Sequence, residues 1–122
     1  MTERLIAVRG ATTVDTNSEE AITSRVQEML HEIMSRNGIS HDAIVSALFT
    51  ATTDVNAAFP ATAARGIGWG DIPLMCATEI AVPGSTPMCI RVLVHAYTER
   101  VRSEIRHVYL HGAKGLRDDL PV

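Results

Sequence analysis

MCIRVLVHA, residues 88–96, is aliphatic almost from end to end and carries Arg91 at its centre. A run of this length, rich in β-branched and aliphatic side chains and preceded by Ser85-Thr86-Pro87, reads as a strand buried in a sheet. A permanent charge inside such a strand is costly unless it meets an anion or reaches water. Two more charges raise the same difficulty. Arg9 ends the apolar stretch Leu5 to Arg9, and Glu79 lies within CATEIAV, residues 76–82.

The remaining elements are read outward from this strand. Leu5 to Arg9 is a first strand, which Gly10 is expected to punctuate. Asn17 with Glu20 three residues on resembles a capping box, and Ile22, Val26, Met29, Leu30, Ile33 and Met34 follow at helical spacing. Asn37-Gly38 closes that helix. Ala43 to Thr52 reads as a strand, Asn56 to Gly66 as a short helix with Pro60 near its first turn, and Gly66 to Gly70 as a loop around Trp69. Ile72 to Gly84 is a strand stopped at Pro83-Gly84, joined to the next by a tight connection at Ser85 to Pro87. After a short turn or helix near Arg102, Arg106 to Leu110 is a last strand, and a polar tail follows. The order β-α-β-α-β-β-β predicts an α+β domain with a mixed sheet and helices on one face, spanning residues 1–122 as one unit.

Composition narrows the function. Of 122 residues 46% are hydrophobic and 20% charged, an ordinary globular balance. Aromatics are only 4%, so one chain builds a modest aliphatic core, and subunit association is expected. The formal net charge is −3 with no basic run, which argues against nucleic acid as a partner. No stretch approaches the roughly 18 apolar residues of a membrane span. The N-terminal residues lack a signal peptide's apolar core, so a cytoplasmic protein is expected. Cys76 and Cys89 form no CxxC pair and are read as reduced thiols.

Two readings fit the strand charges: an internal Arg–Glu pair, or an arginine-lined pocket for a carboxylated metabolite. Two arginines against one strand carboxylate leave a positive surplus, and the planar guanidinium fork matches a carboxylate. No other chemistry is legible. His31, His41, His95, His107 and His111 form no metal-ligand spacing, so neither metal nor cofactor is expected. Cys76 has no visible Cys–His–acid arrangement, and the glycines around Trp69 lack a phosphate loop's Lys-Ser/Thr.

VRGATTV (8–14), FPATAAR (59–65), CATEIAVPG (76–84), CIRVLVH (89–95) and IRHVYL (105–110) occur in this order. In this they resemble the monofunctional, AroH-type chorismate mutases, over almost the whole chain. That resemblance implies a homotrimer with a pseudo-α/β-barrel core and sites at the subunit interfaces. It implies rearrangement of chorismate to prephenate in phenylalanine and tyrosine biosynthesis, without a cofactor. By position, Arg91 matches the arginine beside the ether oxygen, and Glu79 and Cys76 the pair near the ring hydroxyl and π system. Arg9 and Tyr109 match the carboxylate-binding residues. Phe59, Arg65 and Met75 fall in segments bordering the site, and Leu116 and Arg117 in the C-terminal portion that covers it. Thr62 stands where some relatives carry a lysine.

Strand parity adds an expectation. Cys76 and Glu79 are three apart, so in a regular strand they face opposite ways. If both serve one pocket, they come from neighbouring subunits. The rival readings are a RidA-type enamine/imine deaminase and a non-catalytic trimeric metabolite-binding module. The first also binds carboxylates with arginine at subunit interfaces; the second would bind an aromatic-pathway metabolite and regulate a partner.

Overall fold

A computed structural model describes residues 2–116. Its regular elements are β1 (Arg4–Thr13), α1 (Glu19–Asn37), β2 (Ile44–Ala51), α2 (Pro60–Arg65), β3 (Leu74–Thr78), β4 (Cys89–Thr98) and β5 (Val108–Tyr109). The five strands form one mixed sheet in the order β3-β2-β4-β1-β5. β3 runs parallel to β2 and β5 parallel to β1, while β4 is antiparallel to both of its neighbours.

The alternation along β4 explains its place at the centre. Ile90, Val92, Val94 and Ala96 are buried, while Arg91, Leu93 and His95 between them are half-buried. The first set joins Val8 and Phe49, the α1 residues Ile22, Val26, Met29, Leu30 and Ile33, and the α2 residues Ala61, Ala63 and Ala64 in one core. Both helices therefore cover the same face of the sheet. Each fully buried aliphatic side chain of α1 contributes on the order of 1.5–3 kcal/mol gross, so packing holds this helix more than its intrinsic propensity does. Its C-terminus ends on Gly38 in the left-handed conformation, as the sequence predicts.

Four local expectations are corrected. The cap of α1 is Ser18, whose hydroxyl accepts from the Ala21 N–H at 3.1 Å. Asn17 instead accepts from the Asn56 and Ala57 N–H groups, tying the approach to α2 against the start of α1. Asn and Ser are equally good caps, and this tertiary use of Asn17 decides between them. Gly10 does not end β1; it sits within the strand under α1. A Cβ there would lie 2.7 Å from Ile33 Cδ1, so the glycine permits close helix–sheet approach.

The third correction concerns β3, which stops at Thr78 and is not joined to β4 by a tight turn. β2 lies between them, and residues 79–88 arch over its end. Pro83-Gly84 is part of this arch, with Gly84 at φ 86°. β2, α2 and β3 thus make a crossover unit, which needs the parallel pairing that a hairpin reading excludes. The fourth is β5, only two residues long. Asn37 replaces the ladder just before it: its side-chain amide donates to the Arg106 carbonyl at 2.9 Å and accepts from the Arg106 N–H at 2.7 Å.

The arch ends on a clamp. Met88 adopts φ 52°, and its N–H donates to the Asp54 carboxylate at 3.0 Å. The Thr52 hydroxyl, which also bonds Asp54, and then the Met88 N–H hold the Asp54 carboxyl below its usual pKa. Stability from this source is present above the ordinary carboxylate pKa and is lost as pH falls through the lower folded value. Urea melts down an acid series should therefore show a stability decline that Asp54→Asn flattens. Identical slopes for the two proteins would remove Asp54 from the acid response.

Candidate active site

Arg91 lies on the sheet face opposite the helices. Register places it across from Thr50 on β2 and Ala11 on β1. A cavity of about 280 Å³ opens here, lined by Arg9, Thr50, Arg91, Leu48, Leu93 and Tyr109 among others. β1 delivers Arg9, and the parallel pairing of β5 with β1 sets Tyr109 beside Ala11. Tyr109, Ala11 and Ala113 form a small apolar cluster against which Leu116 packs.

Glu79 arrives from the arch. Its N–H donates to the Ala51 carbonyl at 2.9 Å, one last ladder bond beyond β3. This leaves a Glu79 carboxylate oxygen 3.7 Å from Arg91 Nε, an ion pair without a hydrogen bond. The Arg91 side chain is 44% exposed and that of Glu79 26%, so water screens much of this attraction. The internal-pair reading is thus correct in contact but weak in energy. It leaves Arg91 Nε without a hydrogen bond.

Unpartnered polar atoms mark the cavity more sharply. Among the described residues, the buried side-chain atoms without a hydrogen bond include Arg91 Nε, Thr50 Oγ1 and Tyr109 OH, all from residues lining it. Buried polar groups are ordinarily paired, so three orphans around one cavity point to an absent polar ligand. Thr50 was not singled out in the sequence. A threonine in an apolar strand carries no signal of its own, and only pairing with Arg91 exposes it. Next to Arg91, Cys89 is buried, and burial pushes its thiol pKa up while Arg91 opposes the shift.

The other expected residues lie elsewhere on the same chain. Cys76 pairs with Phe49, which places it on the helix side of the sheet. It lines a separate cavity of about 520 Å³ with Phe59. Met75 pairs with Leu48 on the open face and is exposed. Phe59, at 70% exposure, stands out from the start of α2, and Arg65 near its end is exposed, reaching Thr62 Oγ1 at 3.3 Å. Arg117 lies outside the described residues. Cys76 and Glu79 lie on opposite faces of the sheet, Cys76 beside Phe49 and Glu79, just past the end of β3, beside Arg91.

Known proteins share this arrangement of strands. The profile of the family Chorismate mutase type I matches residues 5–120. The chain belongs to that family. Among type I chorismate mutases, it is 45% identical over 114 residues to Chorismate mutase AroH of Thermus thermophilus, covering 93% of each chain. It is 40% identical over 116 residues to Chorismate mutase AroH of Bacillus subtilis, covering 94% of this chain and 91% of that one. The solved chorismate mutase from Clostridium thermocellum superposes with a TM-score of 0.89 at 49% identity, covering 90% of this chain and 98% of that one. The mixed-sheet α+β fold is thus the chorismate mutase fold of this class. No helix of the described residues is long and apolar enough to cross a membrane.

Proposed function

We propose that this protein is a chorismate mutase, an isomerase that rearranges chorismate to prephenate in aromatic amino acid biosynthesis. Family membership supports the reaction. The observation that carries the site assignment is Arg91, fixed by a central strand with Nε enclosed and lacking a hydrogen bond, facing a cavity that Arg9 and Tyr109 also line.

The rearrangement is one intramolecular step. It breaks the ether C–O bond and forms a C–C bond, with no nucleophile and no proton transferred. The protein therefore needs only to hold the substrate folded and to stabilise the charge that separates. Chorismate is a dianion, and two arginines against Glu79 supply the matching surplus. Arg9 and Tyr109 take carboxylate and hold the enolpyruvyl group over the ring, a near-attack geometry. Arg91 faces the ether oxygen, where negative charge develops, so its attraction is stronger in the transition state than in the ground state. Glu79 accepts from the ring hydroxyl and sets negative charge against the ring, where positive charge develops. Thr50 offers its unpartnered hydroxyl to a substrate oxygen.

The site is completed by association. The open sheet face exposes Leu5, Leu48, Met75 and Tyr97, an apolar surface suited to a partner subunit. A cytoplasmic homotrimer covers this face and brings Cys76, Phe59 and Arg65 of one subunit to Arg91 and Glu79 of the next, near Leu116. Strand parity supports this, since one chain presents Cys76 and Glu79 on opposite faces. A structure with a transition-state analogue bound would show the two from different chains; both from one chain would overturn the interface site.

Loss of chorismate ultraviolet absorbance on adding purified, metal-free protein tests the reaction. Turnover to prephenate is the expected result. A protein that binds chorismate without converting it is a binding module, and hydrolysis of an enamine in its place is the RidA-type reading.

A further inference from the structure

The arch of residues 79–88 brings Glu79 to Arg91, yet its own side chains do little to fix it within the chain. Ile80 and Val82 are exposed. Short turns shape its middle: the Val82 N–H donates to the Ile80 carbonyl at 2.9 Å and the Ser85 N–H to the Val82 carbonyl at 3.1 Å. The course of the arch is therefore set where its ends are tied.

One tie is the Glu79 N–H bond to the Ala51 carbonyl. The other is built on Asp54. Its carboxylate oxygens accept from the Met88 N–H at 3.0 and 3.2 Å, and the Thr52 hydroxyl donates to it as well. Thr52 Oγ1 in turn accepts from the Cys89 N–H at 3.0 Å, and the Thr52 N–H donates to the Cys89 carbonyl at 3.0 Å. A charged acceptor makes the stronger kind of hydrogen bond. Here it meets Met88 in the left-handed region, which a residue with a side chain keeps where its surroundings impose it. Asp54 and Glu79 line one cavity of about 200 Å³ under the arch. The clamp thus holds both the far end of the segment that carries Glu79 and the start of the strand that carries Arg91.

We propose that Asp54 is a positioning residue for the rearrangement: through the Met88 clamp it sets the Glu79 carboxylate against the Arg91 guanidinium. The proposal rests on the chorismate mutase reading. Backbone and hydroxyl donors engage the Asp54 carboxylate, so its part is to hold the arch and not the substrate. Without it Met88 relaxes, the arch shifts and Glu79 leaves its place, while Arg9 and Tyr109 still take carboxylate. Turnover then suffers more than binding.

The test is a double-mutant cycle on the assembled protein, assayed well below the melting temperature of each variant. Asp54→Ala should lower kcat on chorismate about tenfold and move KM by less than about threefold. Asp54→Asn keeps one acceptor oxygen for the Met88 N–H and should recover part of kcat. In the Glu79→Ala background the loss from Asp54→Ala should shrink to within about twofold, because the residue through which Asp54 acts is gone. A loss as large as in the wild-type background would overturn the proposal. So would a kcat unchanged by Asp54→Ala, since a purely structural Asp54 lowers the melting temperature alone. If Asp54→Ala does not fold, Asp54→Asn carries the same cycle. A crystal structure of the variant reads the displacement without substrate. Glu79 should stand away from Arg91; a pair in its wild-type place would overturn the positioning role, whether or not the protein turns over chorismate.

Discussion

Arg91→Lys lowers kcat on chorismate by roughly 10²–10³, or about 3–4 kcal/mol of transition-state stabilisation, and leaves the fold intact. The charge survives this change, but its geometry does not. Lysine presents three donors on a rotating point, whereas arginine presents a planar fork whose Nε is fixed within the strand. β4 is paired on both sides, which sets the direction of the side chain. The apolar neighbours Leu48 and Leu93 also line the cavity and limit the water that would screen the charge. KM is expected to move less than kcat, because the ether oxygen carries its charge mainly in the transition state. Stopped-assay rates on purified variant, with circular dichroism to confirm folding, provide the check. Near-normal turnover would remove Arg91 from the ether oxygen.

Glu79→Ala separates catalysis from architecture. The 3.7 Å contact with Arg91 is longer than a hydrogen bond and partly open to water, so it stabilises the fold by no more than about 1 kcal/mol. The Glu79 backbone bond to Ala51 survives the substitution, so the end of β3 stays in place. Turnover should instead fall by at least about tenfold, in the range a positioned electrostatic group supplies. Thermal melts and sedimentation beside the kinetics distinguish the two roles. A variant that unfolds or fails to associate would make the Arg91–Glu79 pair structural.

Much of this was legible in the chain. The α1 stripe from Ile22 to Ile33, the glycine closure at Gly38, the apolar run carrying Arg91 and the order of elements follow from side-chain period and turn chemistry. What was hidden is tertiary. Pro83-Gly84 has the composition of a tight hairpin, yet β2 occupies the gap, and nothing local reports a strand inserted from elsewhere. Ser18 and Asn17 are equivalent as caps until Asn56 and Ala57 claim one of them. Arg9, Glu79 and Arg91 were visible as charges out of place, and the arch that brings Glu79 to Arg91 depends on register. Thr50 could not be found at all, because its importance lies in an orphaned hydroxyl.

Gly10 has a consequence for how such chains can vary. A Cβ at this position would meet Ile33 Cδ1 at 2.7 Å, Val92 Cγ1 at 3.0 Å and Met29 Cγ at 3.1 Å. Shortening Ile33 to valine removes the tightest of these contacts and leaves the other two. An alanine at position 10 is therefore tolerated in some genetic backgrounds and harmful in others, and the order in which substitutions arrive decides which. The flanking residues Arg9 and Ala11 both line the Arg91 cavity. A historical constraint written into the packing of α1 is thus inherited directly by the site on the other face of the strand.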